Sequence, residues 1–217
     1  MTGAGRKTLR RLGLTGILAL LSYTAAVVLS PLAYPGYDWM AQAVSDLSAQ
    51  QAPSRMLWAR LAAPYDICSV VCATCVWLYA AESRAGSRLF RTGIGLFTLM
   101  TWISAVGYGM FPLADAGTEI GSFSEGMHLA VTAAVVILSV VSLVLLTVAG
   151  CRHRTERKLG IWAALALIMM TAGSIGTGTV PPRYFGIAER CSVFAAVGFN
   201  AVLGWDLFRG SAGLEET

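Results

Sequence analysis

Four side chains in this largely apolar chain have the chemistry needed to move protons: Asp46, Asp66, His128 and Glu189. Asp66 lies within an apolar stretch, where an unpaired carboxylate is costly, so it should face the protein interior, find a partner or be protonated. His128 opens another apolar stretch, and histidine is the side chain best suited to proton transfer near neutral pH. These residue types therefore predict a site of general acid–base chemistry.

Basic and aromatic residues near these four are candidates for binding a substrate. The set consists of Arg60, Tyr65, Trp102, Tyr108 and Arg190. Aromatic ring faces attract cations, so the three aromatic residues suit a reaction with cationic intermediates. A structural interpretation stands beside this one, because charged residues commonly flank membrane helices and a glutamate at a helix N-terminus is favoured by the helix dipole. In that interpretation, Asp66 fixes the packing of one helix against its neighbours.

The elements that must position these residues are long apolar segments. Only 13% of the residues are charged and 56% are apolar, whereas soluble domains carry about 25% charged residues. A helix crosses the hydrocarbon of a bilayer with roughly 20 residues, and its backbone groups must be satisfied within the segment. Six segments meet this length: Leu12–Ala33, Leu57–Ala81, Thr92–Phe111, Met127–Gly150, Leu159–Val180 and Cys191–Phe208. The chain is therefore predicted to be all-α, a single integral membrane domain over residues 1–217 that forms a six-helix transmembrane bundle.

The basic residues are distributed unevenly between the two sides of this bundle. Twelve of the sixteen Lys and Arg residues fall at the N-terminus, in every second connection and after the last span. Basic connections stay in the cytoplasm, so both termini are predicted to be cytoplasmic. The basic residues are thus explained by topology, and nucleic acid is not expected as a partner. We expect a multi-pass protein of the cell membrane, the inner membrane in a bacterium.

The longest connection, between the first two spans, has a helical pattern of its own. Trp39, Met40, Ala43 and Leu47 recur at helical spacing, which predicts a short amphipathic helix on the membrane interface. Asp38 is placed to cap this helix.

Small residues recur four apart in the halves of spans three and five that lie on the same side as this connection. The pairs are Ala105/Gly109, Ala172/Gly176 and Ser174/Gly178. This spacing is typical of close helix packing, and the alternative is that these halves line a polar cavity.

Other candidate sites have simpler explanations. Cys68, Cys72 and Cys75 share one helical stripe and could bind a soft metal, although buried cysteines more often serve as small packing residues. Asp206 ends the last span beside Arg209 and is expected to be solvated. No phosphate-binding loop, nucleophile elbow or zinc motif is present, so neither a metal nor a cofactor is predicted.

Short motifs around these residues resemble those of a known family. They are Tyr34–Asp38, Val44–Ala49, Gly107–Pro112, His128 and Gly186–Arg190. With these motifs the chain resembles a family of small bacterial membrane proteins catalogued as domain of unknown function 998. The resemblance implies a six-helix bundle and draws attention to Asp46, His128, Glu189 and Arg190. It implies no particular reaction.

Three classes of function fit these observations. The leading hypothesis is a metal-independent intramembrane enzyme that acts on a lipid-like or isoprenoid substrate by acid–base chemistry, with terpene-type cyclisation as one version. A proton-coupled transporter that uses Asp66 is the second, although the chain has no visible internal repeat. The third is a non-catalytic accessory or assembly protein. Membrane lipids are the expected partners, and a homodimer is possible.

Overall fold

The computed structural model describes residues 3–82, 86–111 and 123–210. These residues form seven α-helices: α1 Gly3–Leu12, α2 Thr15–Leu29, α3 Arg55–Glu82, α4 Arg88–Met110, α5 Phe123–Arg152, α6 Arg157–Thr179 and α7 Phe185–Arg209. The same residues contain no strand, and six helices are long and apolar enough to cross a membrane when α1 and α2 are counted together. The predicted all-α six-helix membrane bundle is confirmed. The cytoplasmic location of the termini stays a prediction.

The helices pack as a closed ring of sequence neighbours. Each helix from α2 to α6 contacts the next helix along the chain, and α7 contacts α2, which closes the ring. In addition, α7 crosses α3. Half of the apolar window of α7 is buried, against 28–39% for the other five spans. Consequently α7 is the most enclosed helix, and residues near its start are held from several sides.

The two ends of the bundle differ in charge. We name as the basic end the one where the helices begin or end at Leu12, Glu82, Arg88, Arg152, Arg157 and Arg209. The opposite end, named the loop end, is where they begin or end at Leu29, Arg55, Met110, Phe123, Thr179 and Phe185.

The main hydrophobic core lies in the half of the bundle near the basic end. Its largest fully buried side chains include Phe90, Phe97, Leu143, Leu159 and Leu203. In lipid, helices associate through close packing rather than through the hydrophobic effect, so small residues at the crossings matter most. A Cβ on Gly160 would lie 2.6 Å from the Cα of Gly150, so these two glycines let α5 and α6 touch backbone to backbone.

A break separates α1 from α2 at the start of the first predicted span, Leu12–Ala33. The α-helix is interrupted at Gly13, and a Cβ there would lie 2.5 Å from the carbonyl oxygen of Gly204 on α7. The thiol of Cys72 lies 3.7 Å from the Gly13 carbonyl oxygen. The interruption therefore accommodates a close crossing of three helices. The apolar character of the segment, from which the span was predicted, does not reveal this interruption.

Two carboxylates are buried at the basic end. Glu156 accepts hydrogen bonds from the backbone N–H and the hydroxyl of Ser87, which caps α4. Asp206 is 2% exposed and accepts a hydrogen bond of 3.2 Å from the ammonium of Lys158. The prediction that Asp206 is solvated is therefore wrong, because α6 lies against this end of α7 and covers it.

The predicted amphipathic helix in the first connection is also wrong. Residues 35–49 form successive turns and one 3₁₀ turn, Ser45–Ser48. Asp38 therefore caps no helix, and its carboxylate instead accepts the Met40 N–H at 2.9 Å within a turn. Helical hydrogen bonds are replaced here by bonds to side chains: Gln42 accepts the Asp38 N–H at 2.7 Å. The segment therefore lies as a folded cover on the start of α7, with Val44 and Leu47 buried.

Candidate functional site

The first connection is fastened to α7 by a charged cluster, which we name the latch (Tyr37, Asp46, Glu189 and Arg190). Glu189 accepts the Val44 N–H at 2.5 Å and is also hydrogen-bonded to the backbone of Ser45. Val44 and Ser45 belong to the motif Val44–Ala49 noted in the sequence. Glu189 lies inside α7, which begins at Phe185, whereas the last span was predicted to begin at Cys191. Glu189 therefore serves first as a hydrogen-bond acceptor for the backbone of the connection.

Arg190 completes the latch from the next position on α7. Its guanidinium donates to the carbonyl oxygen of Gln42 at 3.0 Å, to that of Gly186 at 2.9 Å and to the hydroxyl of Tyr37 at 2.7 Å. The Tyr37 hydroxyl in turn donates to the Ala43 carbonyl oxygen at 2.6 Å. Arginine suits this place because its planar group offers several donors in fixed directions.

A glycine is needed where α7 passes beneath the connection. The Gly186 N–H donates to the Met40 carbonyl oxygen at 2.8 Å. A Cβ on Gly186 would lie 2.3 Å from the carbonyl oxygen of Gln42 and 2.6 Å from that of Trp39. The motif Gly186–Arg190 therefore encodes the close approach of two backbones as well as the charges.

Asp46 belongs to the same cluster but bonds within its own turn. Its carboxylate accepts the Ala43 N–H at 3.0 Å. Burial raises the pKa of Asp46, while that hydrogen bond and the nearby Arg190 guanidinium act in the opposite direction. Burial likewise raises the pKa of Tyr37, again against Arg190. The sequence pattern thus brought Asp46, Glu189 and Arg190 together correctly, but Tyr37 was missed although its motif was noticed.

Aromatic residues pack directly below the latch. The ring of Tyr23 contacts those of Tyr65 at 4.8 Å, Phe194 at 5.6 Å and Trp58 at 5.8 Å between centroids. Tyr23 is close enough to Glu189 for the charge of that residue to act on its hydroxyl. Of these four aromatics, only Tyr65 was predicted. Tyr23 and Phe194 lie on other spans, whereas Trp58 lies seven residues before Tyr65 on α3 and could have been found from that spacing.

Asp66 occupies a different position from the latch carboxylates. On α3 it falls between Ala62 and Ser69, four residues after one and three before the other, and both are buried. Residues at this spacing share a helix face, so Asp66 lies on the inward face as predicted. Its side chain is nevertheless exposed, and no hydrogen bond or ion pair joins its carboxyl to another described residue. The enclosure expected for it is absent.

The positions of the contacts between α3 and α4 lead us to infer a gap beside Asp66. Near the basic end the helices are joined, with the Thr98 hydroxyl donating to the Ala73 carbonyl oxygen at 3.0 Å and the Trp102 indole donating to the Thr74 hydroxyl at 3.0 Å. Toward the loop end no described contact of this kind continues. A Cβ on Gly109 would meet nothing within 4 Å.

We name this gap the cleft, with Asp66, Val106 and Gly109 at its sides and the Trp102–Thr74 hydrogen bond at its floor. Counting in opposite directions from the Ala73–Thr98 contact places Asp66 level with Ala105 and Val106, roughly 10 Å nearer the loop end. Val106 is 50% exposed, in keeping with an open side. The predicted close packing at Ala105/Gly109 is therefore wrong for Gly109.

On α6, too, some of the small residues pack closely against a neighbouring helix and others do not. A Cβ on Gly176 would lie 2.9 Å from the Cβ of Ala188, so this pair packs closely against α7. Gly178 has nothing within 4 Å of the corresponding position. Between α6 and α7 lies a groove of about 380 Å³ with an almost wholly apolar lining that includes Gly173, Gly176 and Ala188. The polar cavity offered as an alternative is not formed there.

His128 and Tyr108 form a pair between α4 and α5. Their ring centroids are 5.2 Å apart. The Nδ1 of His128 lies 2.8 Å from the carbonyl oxygen of Phe111, and since a carbonyl can only accept, Nδ1 carries the proton and Nε2 stays available as an acceptor. The Tyr108 hydroxyl donates to the Thr132 hydroxyl at 3.3 Å. Tyr108 is also within electrostatic range of both Tyr65 and Glu189, so it is the member of the pair that faces the latch.

The remaining candidates do not join a common centre. Arg60 is exposed and makes no ion pair with Asp66 or any other described carboxylate. Trp102 lies at the floor of the cleft rather than beside the latch, six residues or about 9 Å below Tyr108. The predicted set therefore splits into the latch, the cleft and the His128–Tyr108 pair.

The cysteine stripe of α3 serves packing. The Cys72 thiol lies 3.5 Å from the Asn200 carbonyl oxygen and lies in the core with Cys75. Among the described residues, no group of three His, Cys, Asp or Glu side chains is arranged to hold a metal ion.

Comparison with known proteins identifies a family but no activity. The chain belongs to the family described as "Protein of unknown function (DUF998)", whose model matches residues 17–206. No curated protein and no solved structure matches the chain. The matched range runs from α2 almost to the end of α7, so it includes the latch, the cleft and the His128–Tyr108 pair.

Proposed function

We propose that this member of the DUF998 family is an intramembrane enzyme that uses the Asp66 carboxyl as a general acid on a lipid-like substrate. The observation that carries the proposal is that Asp66 lies on the inward face of α3 and yet is exposed to the cleft with no described partner. A carboxyl placed within a membrane span is costly, and a structural one would be expected to have a partner.

The other loop-end acids have structural tasks that make them weaker candidates. Glu189 accepts backbone hydrogen bonds from the first connection, and Asp46 accepts one within its own turn. Both carboxyl groups are thus already engaged by backbone N–H groups of the connection. We therefore assign Glu189, Asp46 and Arg190 to holding the connection and Asp66 to the chemistry.

The cleft suits a substrate that arrives from the bilayer. It opens sideways between α3 and α4, and Val106 and Met110 at its α4 side are 50% and 65% exposed apolar side chains. An isoprenoid chain could lie against such a surface without leaving the lipid. The distribution of basic residues predicts that this end of the protein lies outside the cytoplasm.

Protonation of an isoprenoid alkene is the concrete reaction we propose. The Asp66 proton forms a C–H bond with one alkene carbon, the π bond breaks, and the neighbouring carbon becomes a tertiary cation. A second alkene of the same molecule then forms a C–C bond to that cation. Loss of a proton from the resulting cation restores an alkene, so the product is an isomer of the substrate and nothing is oxidised or reduced.

Neighbouring aromatic residues have roles in this scheme. The ring faces of Tyr65 and Tyr108 attract cations and would stabilise the charged intermediates. The free Nε2 of His128 is the nearest well-defined acceptor for the final proton on the α5 side, with its tautomer fixed by Phe111. Exchange with water at the loop end would return both residues to their starting states.

The test uses the purified protein in lipid nanodiscs with geranylgeraniol as the probe, in D₂O buffer. We expect an isomer of unchanged formula that carries one deuterium, detected by chromatography and mass spectrometry. General acid catalysis contributes on the order of 10²–10⁴ in rate, so Asp66→Asn should lower the yield at least about 100-fold. Asp38→Asn is the matched control, because Asp38 is an exposed loop-end acid outside the cleft.

Two results would overturn the proposal. If Asp66→Asn forms the isomer as fast as the wild type, Asp66 is not the acid. If the wild type forms no isomer from geranylgeraniol or from shorter and longer polyprenols, the cyclising enzyme is excluded. An accessory or transport role would then be the better hypothesis.

A further inference from the structure

A second groove lies at the opposite end of the same helix pair. It has a volume of about 540 Å³ between α3 and α4 at the basic end, and it is lined by Trp77, Arg88, Arg91, Thr92, Gly95 and Leu96. None of these residues takes part in the latch, the cleft or the His128–Tyr108 pair. The groove therefore calls for an explanation that does not depend on the proposed function.

The lining changes from charged to apolar along the helix axis. Arg88 is the first residue of α4 and is exposed, with no hydrogen bond or ion pair to another described residue. Arg91, one turn deeper, donates to the Gly86 carbonyl oxygen at 3.4 Å and adds a second positive charge to the groove. Gly95 and Leu96 continue the groove toward the bilayer centre, seven and eight residues from Arg88, or roughly 10–12 Å.

The indole of Trp77 provides a polar contact at an intermediate depth. Trp77 is 42% exposed, and no described residue accepts a hydrogen bond from its Nε1–H. A Cβ on Gly95 would lie 3.3 Å from this nitrogen, so the glycine lets the indole lie along α4 at the wall of the groove. Tryptophan is enriched at the membrane interface, where such a donor meets polar lipid groups.

We propose that this groove binds an anionic phospholipid. Arg88 and Arg91 contact the phosphate, the Trp77 N–H donates to a glycerol ester carbonyl, and one acyl chain lies along Gly95 and Leu96. Charged and apolar surfaces follow one another here in the order and over the distance that a phospholipid requires. Basic sites between spans at the end predicted to be cytoplasmic fit anionic head groups for the same electrostatic reason.

The test is native mass spectrometry of the full-length protein titrated with phosphatidylglycerol or phosphatidylcholine. We expect tighter binding of phosphatidylglycerol by the wild type and about a fivefold loss of that preference in Arg88→Gln, from the attraction expected of one basic residue. Arg154→Gln/Arg157→Gln is the matched control: it removes two exposed charges at the same end, in the α5–α6 connection. It should keep the preference.

A second variant tests the shape of the groove without changing its charge. Gly95→Leu should displace Trp77 and fill the space, and so weaken phosphatidylglycerol binding with both arginines present. Three results would overturn the proposal: no preference for phosphatidylglycerol, an equal loss in the control variant, or full competition by inorganic phosphate. The last would show a site for the free anion rather than for a lipid.

Discussion

The acidic residues at the two ends of the bundle have different surroundings. At the basic end, Glu156 and Asp206 are almost fully buried and each has a partner that fixes its place. At the loop end, Glu189 and Asp46 also have backbone partners, but Asp66 is exposed and has no described partner. Asp66 is therefore the exception among these five acids.

Packing also varies within the loop end. Gly109 and Gly178 have open space beside them, whereas Gly186 lies against backbone atoms as closely as Gly13 and Gly204 do at the basic end. Regions of low packing density are the ones that can move or admit a ligand, so the open positions at the loop end are the better place to look for function.

The largest expected effect comes from adding one methyl group at each end. A Cβ on Gly204 would lie 2.2 Å from the Gly13 carbonyl oxygen, so Gly204→Ala should lower the free energy of unfolding by about 3 kcal/mol. Gly178→Ala meets no neighbour and should raise it by up to about 1 kcal/mol, because alanine favours the helix. Thermal unfolding in detergent, followed by tryptophan fluorescence, measures both. Equal effects would abolish the contrast between the ends.

A smaller change in the free energy of unfolding is expected when a carboxylate that accepts a backbone N–H is removed at each end. Glu156→Ala removes a fully buried acceptor of the Ser87 N–H and should cost about 2 kcal/mol, with Glu156→Gln costing less because one acceptor remains. Val44 is buried, but Glu189 itself is only part-buried, so truncating its side chain opens a path for water to the Val44 N–H and Glu189→Ala should cost about 1 kcal/mol. The same unfolding assay applies. A larger loss for Glu189→Ala would show that the latch is a principal stabilising element.

The smallest expected effect is a pH dependence of the latch through Asp46. Burial raises the pKa of Asp46, so the docked connection holds this proton more tightly than the released one does. Protonation therefore favours docking fully at a pH below the ordinary aspartate pKa, and this contribution is lost as the pH rises through the raised value. Asp46→Asn keeps an acceptor for the Ala43 N–H and should not show this dependence.

Hydrogen exchange of residues 37–48, compared between wild type and Asp46→Asn at each pH, measures this effect. The comparison at equal pH removes the intrinsic pH dependence of exchange. Wild-type protection relative to the variant should fall between pH 4 and neutral pH. A constant ratio would show that Asp46 does not influence docking.

Apolar length predicted the spans, but not the features that interrupt or extend them. The second span was predicted as Leu57–Ala81 and is Arg55–Glu82, since nothing within it opposes a continuous helix. The last was predicted to begin at Cys191 but begins at Phe185. Its first turns contain Glu189 and Arg190, which an apolar average rejects. Their charges are satisfied by a connection some 145 residues away in sequence, which no local pattern reveals.

The candidate site was predictable in its members more than in its arrangement. Charges at span ends identified Asp46, Glu189 and Arg190, and the structure brings them together. The cost of an unpaired carboxylate led us to expect Asp66 to be enclosed, but its side chain is exposed. Whether its face of α3 is covered depends on the separation of α3 and α4, which is set by side chains such as Trp102 on another helix.

The hydrogen bond between Trp102 and Thr74 has a further consequence for the size of molecule that the cleft admits. It closes the gap eight residues below Met110, a depth of roughly 12 Å in a hydrocarbon layer about 30 Å thick. Only one end of a long chain fits into that depth, and the remainder stays among the lipid tails. Binding would then depend on the first few carbons of the substrate and not on the length of the chain that follows them.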